Sequence, residues 1–145
     1  MAPSSHPALT VIDPPEISAS PMTAQVVSIN SNARVIHTSG QMPIDRHGNI
    51  PAAYPDQIKL CLDNLDACLK SAGAGRKDIV KLTYYIVNYN PTWRPHAEIL
   101  MDYLQGHRPC TTLVPVPALA RAELLFEIEA VAALQGSSPN PRSVL

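Results

Sequence analysis

PDQIKLCLDNLDACLKSAG, residues 55–73, decides much of the fold, because its apolar residues recur at steps of three and four. That spacing places them on one side of an α-helix. Gly73 directly follows the stripe, at the position where a glycine commonly ends a helix. The segment is therefore predicted to form an amphipathic helix that packs on a core through Ile58, Cys61, Leu62, Leu65, Cys68, Leu69 and Ala72.

The next segment, residues 78–88, changes to a period of two, which predicts a long, half-buried strand. Its apolar face carries Val80, Leu82, Tyr84 and Ile86, and its other face carries Lys81, Thr83 and Tyr85. A second helix is predicted to begin near residues 90–92 and to end at Gly106. It would bury Ala97, Leu100, Tyr103 and Leu104.

Five further strands are predicted around these elements, at residues 8–12, 24–29, 34–38, 110–116 and 124–133. Residues 30–32 have the composition of a hairpin loop that would pair the second strand with the third. Pro115 and Pro117 predict an edge or a bulged end for the fifth of the six strands, because proline donates no backbone hydrogen bond. This order of elements predicts an α+β domain with a mostly antiparallel or mixed sheet and both helices on one face.

The other face of that sheet has no predicted cover within one chain. Apolar and ionisable side chains would share it, which indicates an oligomer interface that contains polar pockets. The residues on this face would be Lys81, Thr83, Tyr85, Glu127, Glu129, Val131 and Ala133.

Length and composition limit the classes of protein. The 145 residues fit one domain, and a net charge of −1 gives no basic face for nucleic acid. Prolines cluster near both ends, so we expect a Pro-rich N-terminal extension with a possible first strand (1–19), a folded domain (20–134) and a flexible tail (135–145). We expect no membrane span and no signal peptide, and three cysteines outside any CxxC pair suit a reducing, cytoplasmic compartment.

HTSGQMPIDRHGNI, residues 37–50, is the first stretch whose residues could take part in ligand binding or catalysis. Gly40 permits two interpretations. The glycine forms a β-bulge before a turn, or it leaves the backbone beside Ser39 bare for the close approach of a small ligand. Local sequence favours the bulge and leaves the second interpretation open.

FEIEAVAAL, residues 126–134, places Glu127 and Glu129 side by side on one strand face. Repulsion between two neighbouring carboxylates can raise the pKa of one of them, so that it could serve as a general acid or base. The alternative is that both carboxylates lie on a solvated strand face. The five histidines have no metal-ligand spacing, so no metal is expected. Cys110 opens a strand and is more simply structural than nucleophilic.

Five stretches together resemble the RidA (YjgF) family of enamine/imine deaminases in order and spacing. They are HTSGQMPIDRHGNI, DNLDACLKSAG, DIVKLTYYIV, RPCTTLVPVPALA and FEIEAVAAL. The resemblance covers about residues 20–134. It implies a chorismate-mutase-like α+β fold, a homotrimer, and a small-molecule site in each cleft between subunits.

The resemblance also implies roles for individual residues. Ser39 and Gly40 match residues that form one wall of the family's cleft. Glu127 matches the glutamate that reaches the water molecule, and this water attacks the C=N carbon. The arginine that grips the substrate carboxylate is aligned with Thr111, and a hydroxyl binds a carboxylate more weakly than a guanidinium does. Arg108, three residues earlier, would replace it only if Pro109 breaks the strand alternation.

Taken together, these features predict that the protein is a divergent RidA-like enzyme that uses neither a metal nor an organic cofactor. It would act on a labile imine, enamine or related intermediate that need not carry a carboxylate, with Glu127 as general acid/base. Ser39, Gly40, Thr111 and Arg108 are the candidate substrate-binding residues. The alternative is a trimeric binding or regulatory protein that kept the fold and lost the chemistry.

Overall fold

The structure is a computed structural model that describes residues 5–136. Within this range the chain forms two helices and six strands. The strands are β1 (Leu9–Ile12), β2 (Val26–Ile29), β3 (Ala33–His37), β4 (Ile79–Val87), β5 (Cys110–Val116) and β6 (Phe126–Gln135). The helices are α1 (Tyr54–Ser71) and α2 (Pro95–Leu104), and a 3₁₀ turn (Arg76–Asp78) precedes β4. The predicted C-terminal tail lies, from residue 137 onward, outside the described residues.

The main sheet has the order β3-β6-β4-β5 and is mixed. β6 runs antiparallel to both β3 and β4, whereas β5 runs parallel to β4 at the sheet edge, as Pro115 and Pro117 predict. Both helices cover one face, and the core lies between them and the sheet. Its largest fully buried apolar side chains include Ile58, Leu65, Leu69, Leu82, Phe126 and Ile128. The predicted α+β architecture with two helices on one face of a mixed sheet is thus confirmed.

The predicted pairing of the second strand with the third is wrong. β2 pairs with β1 in a separate two-stranded sheet, with Leu9 opposite Ile29 and Ile12 opposite Val26. Residues 30–32 turn the chain from this small sheet to β3, and Ala33 N donates to Asn30 O at 3.1 Å. Alternation marks a strand but does not identify its partner, which is the reason for the error.

The predicted apolar face of β4 needs one correction at Val80. Ile79 is opposite Ala132 and Lys81 is opposite Val131, so Val80 is an extra residue in a β-bulge. The bulge turns Ile79 into the main core, while Val80 packs with Leu9 and Ala133 in a second, small apolar cluster. β1 and β2 therefore cover one end of the sheet face that was predicted bare.

Helix α2 begins later than predicted. The side chain of Asn90 accepts hydrogen bonds from the backbone N–H and the hydroxyl of Thr92, which forms a turn before the helix. Pro95 then occupies the first helical turn, where its missing N–H costs nothing. As a result His96 is buried, and Ala97 is only half-buried.

Candidate functional site

A β-bulge at Ser39 and Gly40 forms the backbone part of the site. Thr38 N donates to Ala130 O at 3.0 Å, and Gln41 exchanges two backbone hydrogen bonds with Ile128. The three residue intervals from Thr38 to Gln41 therefore lie opposite the two intervals from Ile128 to Ala130 on β6. One extra residue on one side of a strand pair is a β-bulge. Within residues 5–136, the backbone N–H groups of Ser39 and Gly40 have no hydrogen-bond acceptor.

Glu127 lies directly against this bulge. A Cβ atom added to Gly40 would overlap Oε1 of Glu127, so only glycine lets the carboxylate occupy this place. The structure thus shows the bulge, and the group that approaches Gly40 closely is the Glu127 side chain; the approach of a ligand stays a prediction. A carboxylate beside two unengaged N–H groups can move a proton while the backbone holds a polar atom of a ligand.

Helix α1 holds both backbone segments of the site through two side-chain amides. Gln57 donates to Pro51 O and Glu123 O at 2.9 and 2.8 Å, and it accepts from Leu125 N at 2.8 Å. This fixes the chain just before Glu127.

Asn64 performs the same task on the other segment. Its amide donates to Met42 O and Ile44 O at 2.9 and 3.1 Å, which fixes the chain just after Gly40. Neither Gln57 nor Asn64 is among the site residues predicted from the sequence. Their spacing of seven residues, two turns on one side of a predicted helix, is the signal that would have found them.

Glu129 has different surroundings from Glu127, although both side chains lie on the same face of β6. Tyr85 Oη donates to Glu129 Oε1 at 2.6 Å. This bond raises the pKa of Tyr85, because the carboxylate stabilises the protonated phenol. Nearby, Lys81 Nζ donates to the Thr112 hydroxyl at 2.6 Å.

Thr111 lies on the sheet face opposite to Glu127 within one chain. Thr111 is paired with Leu82, whose side chain is in the core, whereas Glu127 is paired with Tyr85 on the other face. The chain alone therefore does not bring the Thr111 hydroxyl to the Glu127 carboxylate.

Arg108 precedes β5 and binds the segment that flanks β1 and β2. Its Nη2 donates to Asp13 Oδ2 at 2.7 Å and to Thr23 O at 3.0 Å. Measured along the strands, it is about six residues from the level of Glu127, or roughly 20 Å. Within one chain, the structure thus joins Glu127 with Gly40 and leaves Arg108 and Thr111 apart from them.

Cys110 is half-buried, and its thiol is 3.8 Å from Gln25 O. No group of three His, Cys, Asp or Glu side chains between residues 5 and 136 is arranged to hold a metal ion. In the same range, neither helix combines the length and the apolar character needed to cross a membrane.

Comparison with known proteins identifies the family. The family model described as Endoribonuclease L-PSP matches residues 17–134. The 2-iminobutanoate/2-iminopropanoate deaminase of Escherichia coli K12 is 32% identical over 101 residues, which are 68% of this chain and 78% of the relative. A RutC family protein of Pyrococcus abyssi is 31% identical over 99 residues, 67% of this chain and 76% of that protein. The chain belongs to the Endoribonuclease L-PSP (YjgF/RidA) family, and the resemblance found in the sequence is confirmed.

Solved structures agree on the fold. YyfB, a protein of the conserved Rid family from Yersinia pestis, is 30% identical with a TM-score of 0.80, covering 88% of this chain and 99% of its own. E. coli TdcF, solved with bound serine, is 28% identical with a TM-score of 0.60, covering 79% and 94%. At the level of the family, the names of these relatives support a RidA-type function.

Proposed function

We propose that this protein is a RidA-type enzyme that hydrolyses a labile imine or enamine, with Glu127 as its general acid/base. The observation that carries the proposal is the Glu127 carboxylate placed against Gly40, beside two backbone N–H groups without acceptors in the described chain. Relatives named as imine deaminases support the reaction class.

The reaction needs no cofactor. Glu127 takes a proton from a water molecule, and the oxygen of that water forms a bond to the C=N carbon. The imine nitrogen takes up this first proton, which gives a carbinolamine. Glu127 then moves the second proton of the added water from the new hydroxyl group to the nitrogen, the C–N bond breaks as the C=O bond forms, and ammonia and a carbonyl compound are released. The N–H groups of Ser39 and Gly40 would hold the substrate or the water while the C–O bond forms.

The substrate need not carry a carboxylate. The charge of Arg108 is already balanced by Asp13, and Thr111 lies on the other face of the sheet. Within one chain, Arg108 thus places no cation beside Glu127, and Thr111 places no hydroxyl there. A small molecule is a better candidate substrate than RNA, because 11 basic and 12 acidic residues give no net positive charge for a phosphate backbone.

We further propose that the site is completed in a homotrimer. Among residues 5–136, β1 and β2 cover one end of the face that carries Glu127, Glu129, Tyr85 and Lys81, and no other element of that range covers the rest. A second copy would shield Glu127 and the reacting water from bulk solvent and could bring Arg108 or Thr111 near them. The free thiols Cys61, Cys68 and Cys110 support the proposed reducing, cytoplasmic setting.

The test compares Glu127→Gln with Glu123→Gln, an exposed carboxylate four residues earlier in the chain. Ammonia release is measured from an imine with a carboxylate and from a neutral imine, both generated in situ. Glu127→Gln should lower kcat/KM by about 10²- to 10⁴-fold, the usual contribution of a general acid/base. Glu123→Gln should retain the wild-type rate. The wild type and both variants should form the same homotrimer, with a mass of three times 15.7 kDa.

A non-catalytic, trimeric small-molecule-binding protein is the second candidate. It is favoured by the separation of Glu127 from Arg108, the candidate for gripping an anionic substrate, within one chain. Wild-type protein that releases no ammonia from either imine, yet binds the carbonyl product saturably, would support this candidate. Equal rates for the wild type and Glu127→Gln would remove Glu127 from the mechanism.

A further inference from the structure

The side chain of Gln41 closes the bulge at Ser39 and Gly40 from one end. Its Nε2 donates to Ser39 O at 3.0 Å, two residues back along the chain. The backbone of Gln41 is itself fixed, because Gln41 N donates to Ile128 O at 2.6 Å and Ile128 N donates to Gln41 O at 3.1 Å. Gln41 therefore connects the bulge to the residue of β6 that directly follows Glu127.

The other end of the bulge is fixed at Thr38. Its hydroxyl accepts a hydrogen bond from Ala130 N at 3.0 Å, and Thr38 N donates to Ala130 O at 3.0 Å. Between these two fixed ends, Gly40 has no side chain that restricts rotation about its backbone bonds. Among residues 5–136, Gln41 provides the one hydrogen bond to the peptide group between Ser39 and Gly40.

This one bond sets the direction of two backbone groups. A trans peptide group is planar, so its C=O and its N–H point in opposite directions. By holding Ser39 O, the Gln41 amide also directs Gly40 N–H, which has no acceptor among the described residues. If the peptide group turned over, the carbonyl would take the place of the N–H. The bulge would then present an acceptor where it now presents a donor.

We propose that Gln41 is a positioning residue of the candidate site. It holds the peptide group between Ser39 and Gly40 so that Gly40 N–H is available to the substrate. The bulge then selects a substrate atom with a free lone pair and disfavours an ammonium group, which has donors only. This inference rests on the proposed function, because it assigns the direction of a group that the proposed reaction uses.

The first measurement is the direction of Gly40 N–H, obtained from residual dipolar couplings in the NMR spectrum of the full chain. Gln41→Met removes the donor and keeps a side chain of similar length. Gln25→Met is the matched control, because Gln25 Nε2 also donates to a backbone carbonyl, that of Ser18, at 2.8 Å. The Gly40 coupling should change in Gln41→Met and stay as in the wild type in Gln25→Met. The couplings of helix α1 should be the same in all three proteins.

The second measurement is ammonia release from the neutral imine by the same three proteins. Loss of one neutral hydrogen bond should lower kcat/KM by about threefold to tenfold in Gln41→Met, with an unchanged urea midpoint. Gln25→Met should retain the wild-type rate. A changed Gly40 direction with an unchanged kcat/KM would overturn the inference.

The two measurements separate this inference from the proposed reaction. An unchanged Gly40 direction in Gln41→Met would overturn the role of Gln41, whether or not the protein is an enzyme. If the wild type releases no ammonia, the proposed reaction fails. A Gly40 coupling that changes in Gln41→Met alone would in that case still support the positioning role of Gln41.

Discussion

The two faces of the main sheet share the same strands but have opposite tasks. Leu82 and Ile128 point into the helix-covered face and are fully buried. Their neighbours Thr83, Glu127 and Glu129 point to the open face and are only half-buried. Strand alternation thus separates the packing that holds the fold from the polar groups that are available for chemistry. Substitutions on the open face should change function at little cost in stability, and substitutions on the covered face should do the reverse.

The largest effect should come from Leu82→Ala, compared with Thr83→Ala next to it on the other face. Leu82 is fully buried in the core, so its truncation should lower the free energy of unfolding by about 2–5 kcal/mol. Thr83→Ala should stay within about 0.5 kcal/mol. Urea unfolding at low protein concentration measures both. Equal losses would show that the open face contributes as much packing as the core.

Gln57→Ala should have the next largest effect, because this side chain connects the core helix to the segment that carries Glu127. Its removal leaves Glu123 O and Leu125 N, just before β6, and Pro51 O, just before α1, without their partner. A buried group without a partner costs about 1–3 kcal/mol, so we expect a loss of at least about 2 kcal/mol and reduced turnover. Lys59→Ala, an exposed position on α1, is the control. An unchanged stability of Gln57→Ala would show that water replaces the amide.

Gly40→Ala should lower activity with little effect on stability, because Gly40 lies at the site and outside the core. The added Cβ would displace the Glu127 carboxylate, and small displacements of a catalytic group cost up to about 10²-fold in rate. We expect kcat to fall between about tenfold and a hundredfold, with nearly unchanged unfolding. The double variant with Glu127→Gln should be no slower than Glu127→Gln alone. Additive losses would mean that Gly40 acts independently of Glu127.

The parts of this molecule that the sequence predicts are those that depend on near neighbours in the chain. The stripe from Ile58 to Leu69 defines α1 because helix periodicity is local. The same holds for the side-by-side carboxylates of Glu127 and Glu129, which follow from the period of a strand.

The remaining features depend on contacts between distant segments. The pairing of β2 with β1, the bulge at Val80 and the amide bonds of Gln57 each join residues whose relation no local period records. Thr111 illustrates the same limit at the candidate site. Its face is set by its register against Leu82, which only the assembled sheet fixes.

Asp13→Asn should give the smallest effect, and it tests how the N-terminal segment is fastened over the end of the open face. The backbone N–H of Gln25 and the guanidinium of Arg108 lower the pKa of Asp13 below its usual 3.8. A carboxyl with a lowered pKa in the folded state stabilises the fold above pH 3.8, and this contribution disappears as the pH falls through the folded-state pKa. The wild type should therefore exceed Asp13→Asn in stability at neutral pH by a small margin that vanishes in acid. Urea midpoints from pH 7 down to about pH 2 measure this margin, with Glu16→Gln as the control. A margin that persists in acid would show that the contacts of Asp13 act through packing and not through charge.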